Sequence, residues 1–255
     1  MDREKVSVTV ITRDEEGEID ACLQSLAWAD EIVVVDSGST DRTVEIARKY
    51  TEKVFHHAWS GYAAQKNWAI DQASHRWILS VDADERVPKA LQEEIKQVLG
   101  SPAPYAGYLI PRKNFFLGRW IRHGGWSPDH VLRLFKRESG RFGERKVHES
   151  IRLAGPVGTL ESPLEHYTYR SMEDYFDRMD RYSTLAAEEM FEQGKRANGI
   201  DLFLRPWATF IKMVFLRQGF RDGIDGLLLG RLYSVYTFSK YAKLYKMGVR
   251  DKQNR

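Results

Sequence analysis

Trp77-Ile78-Leu79-Ser80-Val81-Asp82-Ala83-Asp84-Glu85 is an apolar run that ends abruptly in carboxylates. A buried strand that presents Asp82 and Asp84 at its tip carries hard oxygen donors on a rigid end. Such donors suit Mg2+ or Mn2+, and those ions keep coordination positions open for a substrate's phosphates. In an open α/β sheet, ligands sit at the carboxyl ends of the strands. The competing reading is a solvated acidic turn after a strand, because Asp-x-Asp is short and common.

Upstream of this run, strand and helix patterns alternate. Val6 to Thr12 is rich in β-branched residues and predicts a buried strand. Ile19, Cys22, Leu23 and Leu26 recur at helical spacing, and Glu31-Ile32-Val33-Val34-Val35-Asp36 predicts a second strand broken by Ser37-Gly38-Ser39-Thr40. A helix follows with Thr40 or Asp41 as its cap, then a short strand at Val54-Phe55 and a helix over 62–73. Pro88 stands where a first helical residue belongs, Leu91, Ile95 and Val98 mark one face, and Gly100 closes the helix. This cadence predicts βαβ units on a mostly parallel sheet.

After Gly100 the pattern changes. Residues 105–110 and 130–135 predict strands, separated by an aromatic and glycine-rich stretch from Phe115 to Trp126 that suggests a binding loop. From Ser171 onward the chain predicts helices over 171–194, 201–218 and 224–247. The expected division is a catalytic domain over 1–170, with a nucleotide-binding half 1–100 and an acceptor-side half 101–170, then a helical extension over 171–255.

At 255 residues, 42% hydrophobic and 29% charged, the chain can bury a full core. Cys22 is its single cysteine, which excludes a disulfide framework and a Cys-based zinc site and suggests a reducing compartment. The first residues lack the apolar stretch of a signal peptide, and nowhere do about 18 apolar residues run together. A cytoplasmic protein is expected. Charge is divided unevenly: residues 195–255 hold 13 Lys and Arg against 4 Asp and no Glu, a balance of +9, leaving −6 for residues 1–194. Two parts of opposite sign suggest different partners.

No Gly-x-Gly-x-x-Gly follows the first strand and no Gly-Lys-Ser/Thr loop is present, so a dinucleotide site and a P-loop both lack support. The strand-end residues are instead Thr12-Arg13-Asp14-Glu15-Glu16, then Asp36-Ser37-Gly38-Ser39-Thr40-Asp41, and Asp82-Ala83-Asp84-Glu85, with Gln65-Lys66-Asn67 on the intervening helix. In that order they resemble the family 2 glycosyltransferases of the GT-A fold, over about residues 5–100. Arg133-Leu134-Phe135, Val147-His148-Glu149, Glu165-His166-Tyr167 and Gly219-Phe220-Arg221-Asp222-Gly223 extend the similarity to the bacterial lipopolysaccharide-core β-1,4-glucosyltransferase branch.

The resemblance implies an α/β GT-A fold, with a mostly parallel Rossmann-like sheet flanked by helices and a helical C-terminal extension. It implies a UDP-sugar donor, a divalent cation, inversion at the anomeric carbon and a lipopolysaccharide-core or related glycolipid acceptor. The cation would sit on Asp84, assisted by Asp82 directly or through water, with His166 completing its shell. Asp36 would accept from the uracil, Thr12, Arg13 and Glu15 would line the nucleoside pocket, and Lys66 would meet the base or the phosphates. Glu149 is the expected base, with His148 as its local rival because imidazole titrates near neutrality. Trp126 and Arg133 would border the sugar and acceptor pocket, although a tryptophan there serves equally as core. The donated sugar stays open among glucose, galactose and an N-acetylated sugar, with glucose expected.

In the basic C-terminal part, Trp207, Phe210, Ile211, Val214 and Phe215 form one helical stripe, and Leu228, Leu232, Val235 and Tyr236 another, followed by Lys240, Lys243, Lys246 and Arg250. Such stripes pack as core, against the rest of the chain or a second copy in a homo-oligomer, or lie on an anionic membrane at the inner face. Two other functions compete. A sugar nucleotidyltransferase would carry a basic glycine-rich loop after the first strand, where this chain has acids. A nucleic-acid-binding module would leave the strand-tip carboxylates without a purpose, so no nucleic-acid partner is expected.

Overall fold

The computed structural model describes residues 3–101, 104–143 and 150–253. These form two compact units, one of Met1–Lys113 with Asp129–His166, the other of Asn114–Pro128 with Tyr167–Arg255.

The chain opens with β1 (Val6–Thr12), α1 (Ile19–Leu26), β2 (Glu31–Asp36), α2 (Thr43–Ala47) and β3 (Val54–His56). It continues through α3 (Tyr62–Gln72), β4 (Trp77–Asp82), β5 (Glu85–Arg86) and α4 (Lys89–Leu99). Next come β6 (Gly107–Phe116), β7 (Arg119–Trp120), β8 (His130–Lys136), β9 (Gly140–Gly143), β10 (Ser150–Leu153), β11 (Val157–Thr159) and β12 (Leu164–Tyr169). Three long helices follow: α5 (Met172–Glu192), α6 (Gly199–Ile211) and α7 (Ile224–Gln253).

The main sheet runs β3-β2-β1-β4-β8-β6-β12-β5. Its first four strands are parallel, and β8 enters antiparallel between β4 and β6. Parallel strands are covered on both faces and therefore read as continuous apolar runs; Val33, Val34 and Val35 are all fully buried. On one face Val6, Val8, Val10, Leu79 and Val81 meet Ile19, Leu23 and Leu26 of α1 and Leu91 and Ile95 of α4. On the other, Val33 and Val35 pack on Ala69 of α3, and Ile78 and Phe135 on Ala63 and Ile70 of the same helix. Each such fully buried side chain stabilises the fold by roughly 1.5–3 kcal/mol.

Register fixes where the site forms. Thr12 pairs with Asp36 across β1 and β2, and Ile11 pairs with Asp82 across β1 and β4. Three polar strand ends therefore finish level at one edge of a buried sheet. The α/β architecture with flanking helices is the one expected from the alternating pattern, but the parallel order holds for β3-β2-β1-β4. The sheet as a whole is mixed, because β8 pairs antiparallel with β4 and β6, and β12 with β5.

The stretch from Phe115 to Trp126 is not the open loop its composition suggested. Phe115 and Phe116 end β6, Leu117 and Gly118 turn with φ of 48° and 81°, and β7 pairs back onto the same two phenylalanines. Positive φ at both central residues is the geometry of a two-residue hairpin turn. In this second unit Phe116 and Ile121 are fully buried, and Trp126 packs with them, Tyr175, Met213, Leu229 and Leu232 in the core.

The helices of the second unit have defined ends. Ser171 Oγ accepts from Asp174 N at 3.2 Å to cap α5, and Asn198 with Asp201 forms a capping box before α6. The helix expected over 201–218 ends at Ile211, widens into a π turn over Lys212–Leu216, and reverses through a 3-10 turn at Gly219–Asp222. That reversal is close-packed: a Cβ on Gly226 would stand 1.8 Å from the Gly219 carbonyl oxygen. α6 lies along α7, with Thr209 Oγ1 3.2 Å from Thr237 Oγ1. Lys243, expected on a basic outer face, instead turns to α5 and donates to Asp180 Oδ1 at 2.7 Å and Ser183 Oγ at 2.8 Å. Among the described residues no helix is long and apolar enough to cross a membrane.

Candidate active site

The end of β4 is the centre of a buried ionic array in the first unit. Asp82 receives Lys66 Nζ from α3 at 2.8 Å on Oδ1 and the Arg133 guanidinium from β8 on Oδ2. Arg133 also donates to Glu85 Oε1 at 2.8 Å, and Glu85 Oε2 accepts from the Asp82 amide at 2.9 Å. Arg112 of β6 reaches Glu85 at 3.4 Å and makes two bonds to Asp129 Oδ2, at 2.9 and 2.7 Å. Glu85 is fully buried, and Lys66 and Arg133 nearly so.

Burial alone would raise the Asp82 carboxyl, but the charges of Arg133 and Lys66 outweigh it and hold it far below the usual carboxylate range. Burial likewise opposes the Arg133 charge, and Asp82 and Glu85 more than restore it, pushing the guanidinium above its ordinary value. Buried charges persist only when paired and hydrogen-bonded. Lys66, Arg133 and Glu85 meet that condition here, paired with one another or with the partly exposed Asp82 and Arg112.

Asp84, two residues beyond Asp82, faces His166 of β12, with Nε2 3.5 Å from Oδ2 and both side chains about one-sixth exposed. Pairing of β5 with β12 brings them together, since His166 sits opposite Glu85. The turn between Asp82 and Glu85 is braced by Arg86, which donates to the Ala83 carbonyl at 3.0 Å and pairs with Glu18. The expected trio of Asp82, Asp84 and His166 is not gathered, and among the described residues no three His, Cys, Asp or Glu side chains converge as a metal site. The reason is electrostatic: both Asp82 oxygens are taken by cations. A carboxylate and an imidazole within 3.5 Å are nevertheless a fitting donor pair for Mn2+ or Mg2+, which take one or two protein ligands and fill the rest with phosphates and water.

At the neighbouring strand ends, Asp36 turns inward on its own loop. Its oxygens accept from Gly38 N at 2.9 Å, from Ser39 N at 3.0 and 3.3 Å, and from Ser39 Oγ. Three donors engage Asp36, and the Ser39 amide is shared between its two oxygens. Thr12 is different. Its Oγ1 is buried without a hydrogen-bond partner, as is Nε of Arg133, and buried polar atoms left unmatched are the ones a ligand most readily satisfies. Arg13 is largely exposed and lies 3.6 Å from Asp14. Glu15 is placed by its backbone, whose amide donates to Thr43 Oγ1 at 2.7 Å. Trp126 belongs to the core of the second unit. Glu149 and His148 lie outside the described residues.

Three residues of this region have structural roles that the sequence does not assign. Glu85 and Gln65 stand within quoted motifs without a role of their own, and Arg112 belongs to no motif. Gln65 is fully buried and ties three elements together, donating to Ser37 Oγ at 2.9 Å and the His57 carbonyl at 3.0 Å while meeting His57 Nδ1 at 2.8 Å. A signal was available for Gln65, because a polar triplet interrupts the helix where an apolar face is due.

Residues 7–160 match the model of glycosyl transferase family 2. A lipopolysaccharide core biosynthesis glycosyltransferase, LpsC, from Rhizobium meliloti is 33% identical over 94% of this chain and 92% of its own length. An uncharacterized glycosyltransferase from Rickettsia conorii is 30% identical over 98% of this chain and 93% of its own. Among solved structures, a mannosyltransferase from Pyrobaculum calidifontis in complex with GDP-mannose and Mn2+ superposes with a TM-score of 0.54, covering 95% of this chain and 87% of that one at 16% identity. That likeness shows the GT-A fold, and the sequence matches show the activity class, which sets aside the nucleotidyltransferase alternative. From strand-end carboxylates to nearly full-length alignment, the chain belongs to glycosyl transferase family 2.

Proposed function

We propose that this glycosyltransferase moves a hexose, expected to be glucose, from a UDP-sugar to a lipopolysaccharide-core or related glycolipid acceptor, with inversion and with dependence on a divalent cation. The reading rests above all on Asp84 and His166, a carboxylate–imidazole pair 3.5 Å apart beside an Asp82 already neutralised by Lys66 and Arg133. The relative LpsC, named for lipopolysaccharide core biosynthesis, supports the acceptor class.

Sugar transfer from a diphosphate builds negative charge on the departing phosphates. A cation held by Asp84 and His166 would supply Lewis-acid neutralisation of that charge. Lys66 and Arg133 keep Asp82 ionised and fixed, so the loop bearing Asp84 is set before substrate arrives. Preorganised charge of this kind costs no reorganisation during the reaction. Thr12 offers the nucleoside an unmatched hydroxyl, and Asp36 shapes the Ser37–Thr40 turn beside it. Inversion needs a base opposite the leaving group to take the proton of the acceptor hydroxyl. By resemblance Glu149 takes that proton on a carboxylate oxygen, with His148 as the alternative.

A donor-hydrolysis screen across UDP-sugars, with and without Mn2+ or Mg2+, tests the assignment. One UDP-sugar should turn over, and EDTA and Asp84→Ala should each abolish the activity. Turnover that survives EDTA would refute the cation dependence, and turnover confined to other nucleotide sugars would refute the donor.

A further inference from the structure

The apolar stripe of α6 faces outward. Phe203, Leu204 and Trp207 are 68%, 62% and 65% exposed, and Ile211, Phe215 and Leu216 continue the exposed surface through the π turn. The opposite side of this segment is already covered: Pro206, Met213 and Val214 are buried, and a Cβ on Gly230 of α7 would meet Val214 Cγ2 at 2.5 Å. Six exposed apolar side chains gathered on one short segment mark an interaction surface.

Charge selects what provides that cover. Lys212, Arg217 and Arg221 are exposed, and each directly follows an exposed apolar residue. The acids between Gly199 and Arg250 are Asp201, Asp222 and Asp225; the first two are buried, and Asp225 pairs with Arg119. Within this stretch of chain the exposed charges are therefore basic. A second copy of the chain placed face to face would bring two surfaces of the same positive sign together. An anionic bilayer offers hydrocarbon to the aromatic and aliphatic side chains and phosphates to the basic ones.

We propose that α6 and the turn leading into α7 form a docking surface for an anionic phospholipid bilayer, with Phe203, Leu204 and Trp207 inserted and Lys212, Arg217 and Arg221 at the headgroups. This relocates the membrane-facing surface from the lysines of α7, where Lys243 is held by α5, to the preceding helix. The surface does not depend on the identity of donor or acceptor.

Flotation of the full chain with phosphatidylcholine vesicles, with and without phosphatidylglycerol, provides the test. The wild type should float with the anionic vesicles and much less with the neutral ones. Replacing Phe203→Ser and Trp207→Ser together should lower partitioning at least about tenfold. Reversing Lys212→Glu, Arg217→Glu and Arg221→Glu should remove the preference for phosphatidylglycerol. Unchanged donor hydrolysis and an unchanged circular dichroism spectrum would show that the variants remain folded. A wild type that stays in the soluble fraction with both vesicles overturns the proposal. So does undiminished flotation of both variants, or a wild-type dimer that the Phe203→Ser, Trp207→Ser variant turns into a monomer while neither binds lipid.

Discussion

Lys66 Nζ lies 2.8 Å from Asp82 Oδ1, and this one ion pair joins helix α3 to the end of strand β4 beneath the candidate active site. Lys66 is nearly buried, and removing it takes one of two cations from Asp82, leaving Arg133 alone on that carboxylate. Lys66→Met should therefore destabilise the fold by about 3 kcal/mol, read as a lower urea midpoint. It should also reduce donor turnover, because Asp82 would then be held only from the β8 side.

Arg133 forks between Asp82 and Glu85. A lysine ammonium does not reproduce that geometry. Arg133→Met should cost about 3–5 kcal/mol by the same measure, and Arg133→Lys should recover only part of the loss. Full recovery by lysine would mean that charge alone, without the fork, organises the array.

Acid stability should report Glu31 on β2. Burial would raise its carboxyl, but bonds from Lys53, Ser7 and Ser74 outweigh that and bring it down to about 2. A carboxyl lowered on folding contributes stability that is present above its unfolded pKa and lost as pH falls through the folded one. The window thus runs from about pH 4.5 down to about pH 2. Glu31→Gln should remove on the order of 2 kcal/mol at neutral pH and flatten the acid limb of a melting-temperature profile across that window.

At the proposed base, Glu149→Gln should keep nucleotide affinity in calorimetry while lowering transfer by roughly 10²–10⁴-fold. His148→Asn should leave transfer largely intact. The reverse outcome moves the base to His148.

The reversal before α7 allows a separate test of packing. Gly226→Ala drives a Cβ into the Gly219 backbone, an atom that cannot swing aside. The variant should lose about 1–3 kcal/mol, seen as a fall in melting temperature, with nucleotide binding retained below the transition.

Much of the first unit was legible because buried parallel strands leave continuous apolar runs that end in polar residues. Val33-Val34-Val35-Asp36 and Leu79-Ser80-Val81-Asp82 locate both the sheet and its functional edge in that way. Partner choice was not legible. Nothing in the spacing of residues reveals that Arg133, on an antiparallel strand more than 50 positions away, neutralises Asp82, or that β12 brings His166 to Asp84. Asp36 was placed at the correct strand tip, but its engagement by Ser39 is a property of the turn that follows. The hairpin over Phe115–Trp120 read as a loop because glycine and aromatics suit a loop as well as a tight turn. For α6 the stripe was visible, but which side faced solvent awaited its packing on α7.

The central claim is that Asp84 and His166 hold a divalent cation against the donor's phosphates. Mn2+ titration followed by electron paramagnetic resonance, in the presence of UDP, tests it on wild type, Asp84→Ala and His166→Ala. One bound Mn2+ per wild-type chain is expected, with affinity lowered at least about tenfold in His166→Ala and lost in Asp84→Ala. Equal Mn2+ binding by all three proteins would contradict it.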